Sequence, residues 1–338
     1  MPALAPRPET WIRAVPGGLY CEPGDFFVDP TQPVGRAVVT HGHGDHARPG
    51  NRHVLATRET VAIMQARYGA DAGGTQAIDY RETVMINGVA VTLVPAGHVL
   101  GSAQAVIEYR GGRVVVSGDY KRRRDPTCAP FEPVACDVFV TEATFGLPVF
   151  RHPPDRHEID RLLHSLRLFP ERCQLVGVYA LGKCQRVIAL LREAGYDAPV
   201  YIHGALAALC DLYERHGVAL GPLLPATGAS KTELAGKIVL APPGATADRW
   251  SRRLPDPVSA MASGWMRVKQ RAKARGVELP LVISDHADWD ELTQTLADVG
   301  APEIWVTHGN EEAFVHYATS IGRKARALAL VGYEDEEA

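Results

Sequence analysis

Between Thr40 and His46 the chain reads Thr-His-Gly-His-Gly-Asp-His, which sets three imidazoles and one carboxylate within six residues. The cluster follows the apolar run Arg36-Ala37-Val38-Val39, so it stands where a strand runs out. Side chains crowded at such a point direct several lone pairs at one place, which serves metal chelation better than it serves packing. The two interleaved glycines let the backbone fold back so that neighbouring ligands face one another. A fold that presents this cluster must end several strands at a common rim, and further ligands are expected at the ends of other strands.

The first 150 residues repeat that arrangement. The segment 25–29 reads as a short strand closing on Asp29 before Pro30, with Asp29 placed to orient a ligand histidine from behind. A helix is predicted over 58–69. Asn87-Gly88 joins residues 84–86 to 89–91 as a tight hairpin, and the second strand continues into Pro95-Ala96-Gly97-His98. Gly111-Gly112 joins 105–109 to 113–117, which leads into Gly118-Asp119, and a strand over 137–141 ends at Glu142. From about 150, helices over 155–168, 185–194 and 206–216 alternate with strand-like segments at 176–179, 201–202 and 238–241, the pattern of an α/β unit with a parallel sheet. A strand over 279–283 then runs into Ser284-Asp285-His286, a helix follows over 288–299, and a strand over 303–307 ends at His308-Gly309. The expected division is a discontinuous domain of residues 1–150 and 277–338 with a domain of residues 151–276 inserted in it.

Collected from these strand ends are His41, His43, Asp45, His46, His98, Asp119 and His308, with His286 and Glu142 beside them. Five imidazoles and two carboxylates exceed the needs of one four-coordinate ion. They suit two ions about 3.5–4 Å apart bridged by a carboxylate. Nitrogen and oxygen donors without thiolate favour Zn²⁺, with Mn²⁺ as a substitute. The six cysteines form no C-x-x-C pair, which argues against both a thiolate zinc site and a disulfide framework. No apolar run reaches membrane-spanning length and the first residues carry no leader core, so a cytoplasmic protein without a membrane partner is expected. The formal net charge of -3 means that any surface for a polyanion must be local. Candidates are Lys121, Arg122, Arg123 and Arg124 just beyond Asp119, Lys183 after Leu181-Gly182, and Arg267, which opens an alternating basic stretch to Arg275 beside Trp265. Cations so placed would hold phosphates and supply the salt-dependent part of affinity. Each stretch is also what an ordinary solvated surface looks like.

With those residues in view, the chain resembles the metallo-β-lactamase superfamily, and its inserted domain resembles that of the β-CASP branch. Thr141-Glu142-Ala143-Thr144-Phe145, Ser284-Asp285-His286-Ala287-Asp288 and Thr307-His308-Gly309 match the three motifs private to that branch. The segments 95–102, 117–121, 263–265 and 284–289 are most similar to bacterial DNA ligase-associated exonucleases, relatives of the DNA cross-link repair nucleases. The resemblance implies an αββα sandwich carrying an inserted α/β domain. It further implies one ion on His41, His43 and His98, a second on Asp45, His46 and His308, and Asp119 bridging them. Asp45, Asp119, His286 and Glu142 are the residues it places in the chemistry, with His286 giving a proton to the leaving oxygen and Glu142 steadying it. The implied activity is phosphodiester hydrolysis by a DNA exonuclease, on single-stranded DNA in the 5′ to 3′ direction, in DNA repair beside a DNA ligase or helicase. An RNA-processing enzyme of the same branch is the nearest alternative, and a thioesterase or lactonase a distant one.

Overall fold

The computed structural model describes residues 6–328 and 330. The N-terminal five residues and the acidic stretch Glu334 to Glu337 lie outside them. The chain divides into two compact units, one of Met1–Arg151 with His286–Glu336 and one of His152–Asp285.

In the first unit, one sheet takes its strands in chain order: β1 (Ile12–Val15), β2 (Gly18–Cys21), β3 (Phe26–Val28), β4 (Arg36–Val38), β5 (His53–Thr57) and β6 (Gly74–Ile78). The second sheet runs β7 (Thr83–Ile86), β8 (Val89–Pro95), β9 (Ala103–Tyr109), β10 (Gly112–Val116) and β11 (Val138–Ala143), then β18 (Glu303–Gly309) and β19 (Lys324–Ala327). Its first four strands pair antiparallel and the remainder parallel. The hairpin at Asn87-Gly88 has positive φ at both residues, as its turn type demands. The next hairpin turns at Arg110-Gly111, one residue earlier than expected, because Gly112 pairs with Tyr109 as the first residue of β10.

Period-two alternation decides which side of each strand is buried against what. Val91 and Leu93, Ala105 and Ile107, Val114 and Val116, Val138 and Val140, and Trp305 meet Leu19, Val28, Val38 and Leu55 of the first sheet. Their neighbours Val106, Val115, Phe139, Ile304 and Val306 face the other way, onto α7 (Trp289–Val299) and α8 (Glu311–Ser320) through Leu292, Leu296 and Phe314. On the first sheet, Ala37, Val54 and Ala56 pack on Val61 and Met64 of α1 (Arg58–Tyr68). Each fully buried side chain of this kind contributes about 1.5–3 kcal/mol. The result is the expected αββα sandwich.

The second unit is built on a wholly parallel sheet, in the order β14 (Leu223–Pro225), β13 (Val200–Ile202), β15 (Ile238–Ala241), β12 (Gln174–Gly177), β16 (Val258–Ala262) and β17 (Leu279–Leu281). Its helices are α2 (Asp155–Leu168), α3 (Lys183–Glu193), α4 (Gly204–Arg215), α5 (Lys231–Leu234) and α6 (Lys269–Ala274). The boundary differs from the expected 276/277. Residues 279–281 pair with β16 and so belong to the inserted sheet, and the first unit resumes only at His286. An apolar run declares a strand but not which sheet accepts it. Among the described residues no helix is long and apolar enough to cross a membrane.

Candidate metal centre

Every cluster residue of the first unit sits where a strand has just ended or is about to. The loop after β4 carries His41, His43, Asp45 and His46, that after β8 carries His98, and that after β10 carries Asp119. Glu142 and His308 are the penultimate residues of β11 and β18, and His286 stands just before α7.

These loops are knitted together by backbone contacts that tolerate little else. Lys121 N–H donates to Ala96 O at 3.1 Å, Ala103 N–H to Thr40 O at 2.8 Å, and Ala287 N–H to Tyr120 O at 2.7 Å. Gly97 has φ 76° and a Cβ there would lie 2.2 Å from Lys121 O. Gly118 has φ 55° and a Cβ would lie 2.5 Å from Thr40 Oγ1. Both positions require glycine on conformation and on space. Gly42, between two of the histidines, is needed for close approach: its Cβ would come 2.6 Å from Ile63 Cγ2 on α1.

Ligand-capable atoms of His41, His43, His98 and Asp119 lie within 4.8 Å of one another, and those of His46, Asp119 and His308 form a second such group sharing Asp119. One Asp119 oxygen, Oδ2, lies 3.4 Å from both His41 Nε2 and His46 Nε2 and 3.8 Å from His98 Nε2. The other, Oδ1, lies 3.0 Å from His308 Nε2. His98 Nε2 approaches His43 Nδ1 to 3.0 Å, and Asp45 Oδ2 is 3.4 Å from His46 Nε2.

Two buried atoms of the cluster, His41 Nε2 and Asp45 Oδ1, have no hydrogen-bond partner among the described residues. Buried polar atoms left so are costly, and a cation at the centre of the group is what would satisfy them. The donor set, imidazole nitrogen and carboxylate oxygen with no sulfur, fits Zn²⁺ or Mn²⁺. The cluster can hold a divalent metal.

Behind the cluster a buried carboxylate sets the ligand orientation. Asp29, with φ 43°, accepts Thr40 N–H at 2.8 Å and Thr40 Oγ1–H at 2.6 Å, and its Oδ2 lies 2.9 Å from His46 Nδ1. That leaves His46 Nε2 on the Asp119 side. Thr40 Oγ1 also lies 3.1 Å from His41 Nδ1. Ser102 Oγ accepts the N–H groups of His98 and Val99 at 3.0 and 3.2 Å, pinning the His98 loop. Thr40 and Ser102 were not among the expected site residues. Their only signal in the sequence is adjacency to the motifs, since a hydroxyl's partner is known only once the chain is folded.

Electrostatics follow from burial and from which carboxylate each ring meets. Burial holds His41 well below the ordinary imidazole range, and nearby His46 adds to that. At His46 burial also opposes charge, but Asp45 and then Asp119 outweigh it and hold its pKa well above the ordinary value. His308 is raised in the same way, burial being overcome by Asp119. Burial would lift Asp119, yet the rings of His46, His286 and His308 hold it well below the usual carboxylate range.

A third group joins Asp119, Glu142 and His286. His286 Nδ1 lies 2.9 Å from Glu142 Oε2, and Glu142 Oε1 accepts Tyr120 N–H at 2.8 Å. The His286 and His98 ring centroids are 4.8 Å apart. A fully buried carboxylate on Nδ1 orients the ring and leaves Nε2 turned away from Glu142.

The basic run beyond Asp119 departs from expectation. Lys121 is buried, with Nζ donating to His286 O at 3.2 Å and 3.7 Å from Glu291 Oε2. Arg122 pairs with Asp298 and Arg123 with Asp288, both on or beside α7. Arg124 is exposed. Lys183 is buried in the second unit, donating to Ile283 O at 3.0 Å beside Asp285 at 3.3 Å, while Arg267 is exposed. Within their own units Lys121, Arg122, Arg123 and Lys183 thus each meet an acid, Lys121 and Lys183 while buried and Arg122 and Arg123 while half-buried. Their charge is engaged by acids that arrive from distant sequence.

No protein-family model matches the chain. It is 28% identical over 323 residues, 94% of its length, to a protein of Opitutus terrae named probable DNA ligase, covering 31% of that protein. It is 35% identical over 204 residues, 55% of its length, to cleavage and polyadenylation specificity factor subunit 3 of Dictyostelium discoideum, covering 26% of it. To endoribonuclease YSH1 of Saccharomyces cerevisiae it is 33% identical over 147 residues, 40% of its length, covering 19% of that protein. The chain thus spans less than a third of the length of each of these relatives.

Proposed function

Because the chain belongs to the β-CASP branch of the metallo-β-lactamase superfamily, we propose that it is a metal-dependent phosphodiesterase, a DNA exonuclease acting on single strands. The observation that carries this reading is the convergence of two buried ligand groups on one carboxylate, Asp119, beside the His286–Glu142 pair. Ions held by His41, His43 and His98 and by Asp45, His46 and His308, with Asp119 shared, would supply Lewis acidity and a water ionised near neutral pH. The protein's own contribution is positional. Asp29, Thr40 and Ser102 fix the rings, and Asp119 keeps the two ligand groups in register. His286 delivers a proton to the leaving oxygen while Glu142 stabilises its imidazolium.

DNA is favoured because a relative that matches 94% of the chain carries a DNA ligase name. That name also supports a repair setting in which a ligase or helicase acts on the same DNA. Digestion is assigned 5′ to 3′, by the resemblance to cross-link repair nucleases. The second reading, RNA processing, draws on the relatives named endoribonuclease and cleavage factor, which match about half of the chain. The deciding experiment gives the purified protein matched end-labelled DNA and RNA oligonucleotides, single- and double-stranded, with Zn²⁺ or Mn²⁺. Stepwise shortening of single-stranded DNA from its 5′ end is expected. Cleavage confined to RNA would hand the assignment to the second reading, and no cleavage of either would end both.

A further inference from the structure

The first unit holds a cavity that the metal centre does not use. Its volume is about 350 Å³, and it lies between β4, β5 and β6 of one sheet and β7 of the other. That volume falls within the range of small-molecule sites, about 300–1,000 Å³. Arg36 opens β4 five residues before His41, so the cavity stands at the opposite end of that strand from the ligand loop.

Period-two alternation fixes what faces it. Val38, Leu55 and Ile78 belong to the core between the two sheets, and Arg36, His53 and Gln76 each stand two residues earlier on the same three strands. The three polar side chains therefore share the core-facing side, and all of them line the cavity. Ladder pairing sets Arg36 beside His53, and Gln76 beside Leu55. Gly74, paired with His53, brings no side chain into the space; a Cβ there would lie 3.5 Å from His53 Nδ1. The opposite wall is apolar, because Val84 and Ile86 alternate along β7 and pack against the edge of the same core.

A solvated rim accounts for polar side chains at the end of a sandwich, but not for an uncompensated cation inside a cavity. The lining contains no acid, and among the described residues no carboxylate pairs with Arg36. Arg36 Nη1 donates to Gly24 O at 3.2 Å and to Asp25 O at 3.4 Å, which fixes the guanidinium and leaves Nε–H and Nη2–H without an acceptor among those residues. Asn87 Nδ2 donates to the same Gly24 O at 3.0 Å, so the hairpin after β7 closes one side. The side chains of His53 and Gln76 make no hydrogen bond among the described residues. Donors from a guanidinium, an imidazole and an amide outnumber the two oxygens of a carboxylate and suit the three of a phosphomonoester.

We infer that this cavity is a binding site for a phosphomonoester with a flat apolar body, the chemistry of a nucleoside 5′-monophosphate. Arg36, His53 and Gln76 hold the phosphate, and the ring lies against Val84 and Ile86. The inference deepens the nuclease reading and rests on it for the source of the ligand, since an exonuclease that leaves 5′-phosphates releases such molecules one at a time. The site holds them apart from the metal centre.

The test adds thymidine 5′-monophosphate to the protein in EDTA and follows the phosphorus-31 linewidth. Saturable broadening is expected, and thymidine or inorganic phosphate should compete far less well. A His53→Ala/Gln76→Ala variant breaks no hydrogen bond of the fold and should keep its thermal melt. It is expected to bind the nucleotide about tenfold or more weakly, two donors to a charged acceptor being lost. Arg36→Leu is expected to abolish binding, and should it fail to fold, the double variant decides alone. Asp119→Ala is expected to retain binding. Unchanged affinity in the folded double variant overturns the site, as does binding that vanishes with Asp119→Ala instead. Thymidine or inorganic phosphate binding as tightly as the nucleotide also overturns it. Cleavage plays no part in the readout. A protein that binds the nucleotide here yet cuts no nucleic acid ends the nuclease reading and keeps the site, whereas an active nuclease whose double variant binds normally loses only the site.

Discussion

Asp119 and His286 carry different burdens, and substitution should separate them. Asp119 offers one oxygen to the His41, His46 and His98 side and the other to His308. Asp119→Ala should therefore lower bound metal, measured by inductively coupled plasma spectrometry, and abolish cleavage while the circular dichroism spectrum is retained. Near-normal metal content and activity would remove Asp119 from the centre. His286 touches Glu142 and lies outside both ligand groups, so His286→Ala should keep its metal and lose about 10²–10⁴ in rate. A variant that sheds metal instead would make His286 a ligand. The pH behaviour also belongs to single residues. His46 and His308 have raised pKa values, so each keeps its proton to higher pH than an ordinary imidazole, and a proton competes with a cation for the same lone pair. Metal affinity should rise with pH through that raised range and level off above it. Calorimetry in buffers of different ionisation enthalpy should find protons released on binding. An affinity that is flat across neutral pH would contradict this.

At the level of elements, the notable tie is between the segment after β10 and helix α7. Lys121 and Arg123 converge on Glu291 and Asp288, which form a reciprocal cap at the start of α7: Glu291 N–H donates to Asp288 Oδ1 and Asp288 N–H to Glu291 Oε2, both at 3.0 Å. Burial would raise Glu291, but Lys121 and then Arg123 outweigh it and hold its pKa below the ordinary carboxylate value. A depressed carboxylate contributes stability that is complete above its unfolded pKa and is lost as pH falls through the folded one. The Lys121–Glu291 pair is thus a neutral-pH device. Lys121→Met removes one of the two cations beside Glu291, Arg123 remaining at 3.6 Å, and should cost about 1–3 kcal/mol in urea unfolding at pH 7. The deficit should shrink as the pH is lowered below 4. A loss under 1 kcal/mol at neutral pH would show the pair to be incidental.

For the whole molecule, the alternation along β8 to β11 and the hairpin residues were legible because they depend on local sterics and a period of two. The same holds for the alternating pattern of the inserted unit. Fidelity fails where partners come from afar. The segment 279–281 looks the same whichever sheet accepts it, and only its pairing with β16 assigns it to the second unit. Lys121 to Arg123 look like a phosphate-binding run until α7 brings its acids to them. By itself the sequence determined which side chains could bind a cation and that each stands at or just past the end of a strand, because chemistry and strand propensity are properties of short segments. Tertiary structure alone decided the distances at which Asp119 meets the two histidine groups, which ring Asp29 backs (His46), and which cations are engaged internally. Those outcomes depend on the distance between residues far apart in the chain, which only packing sets.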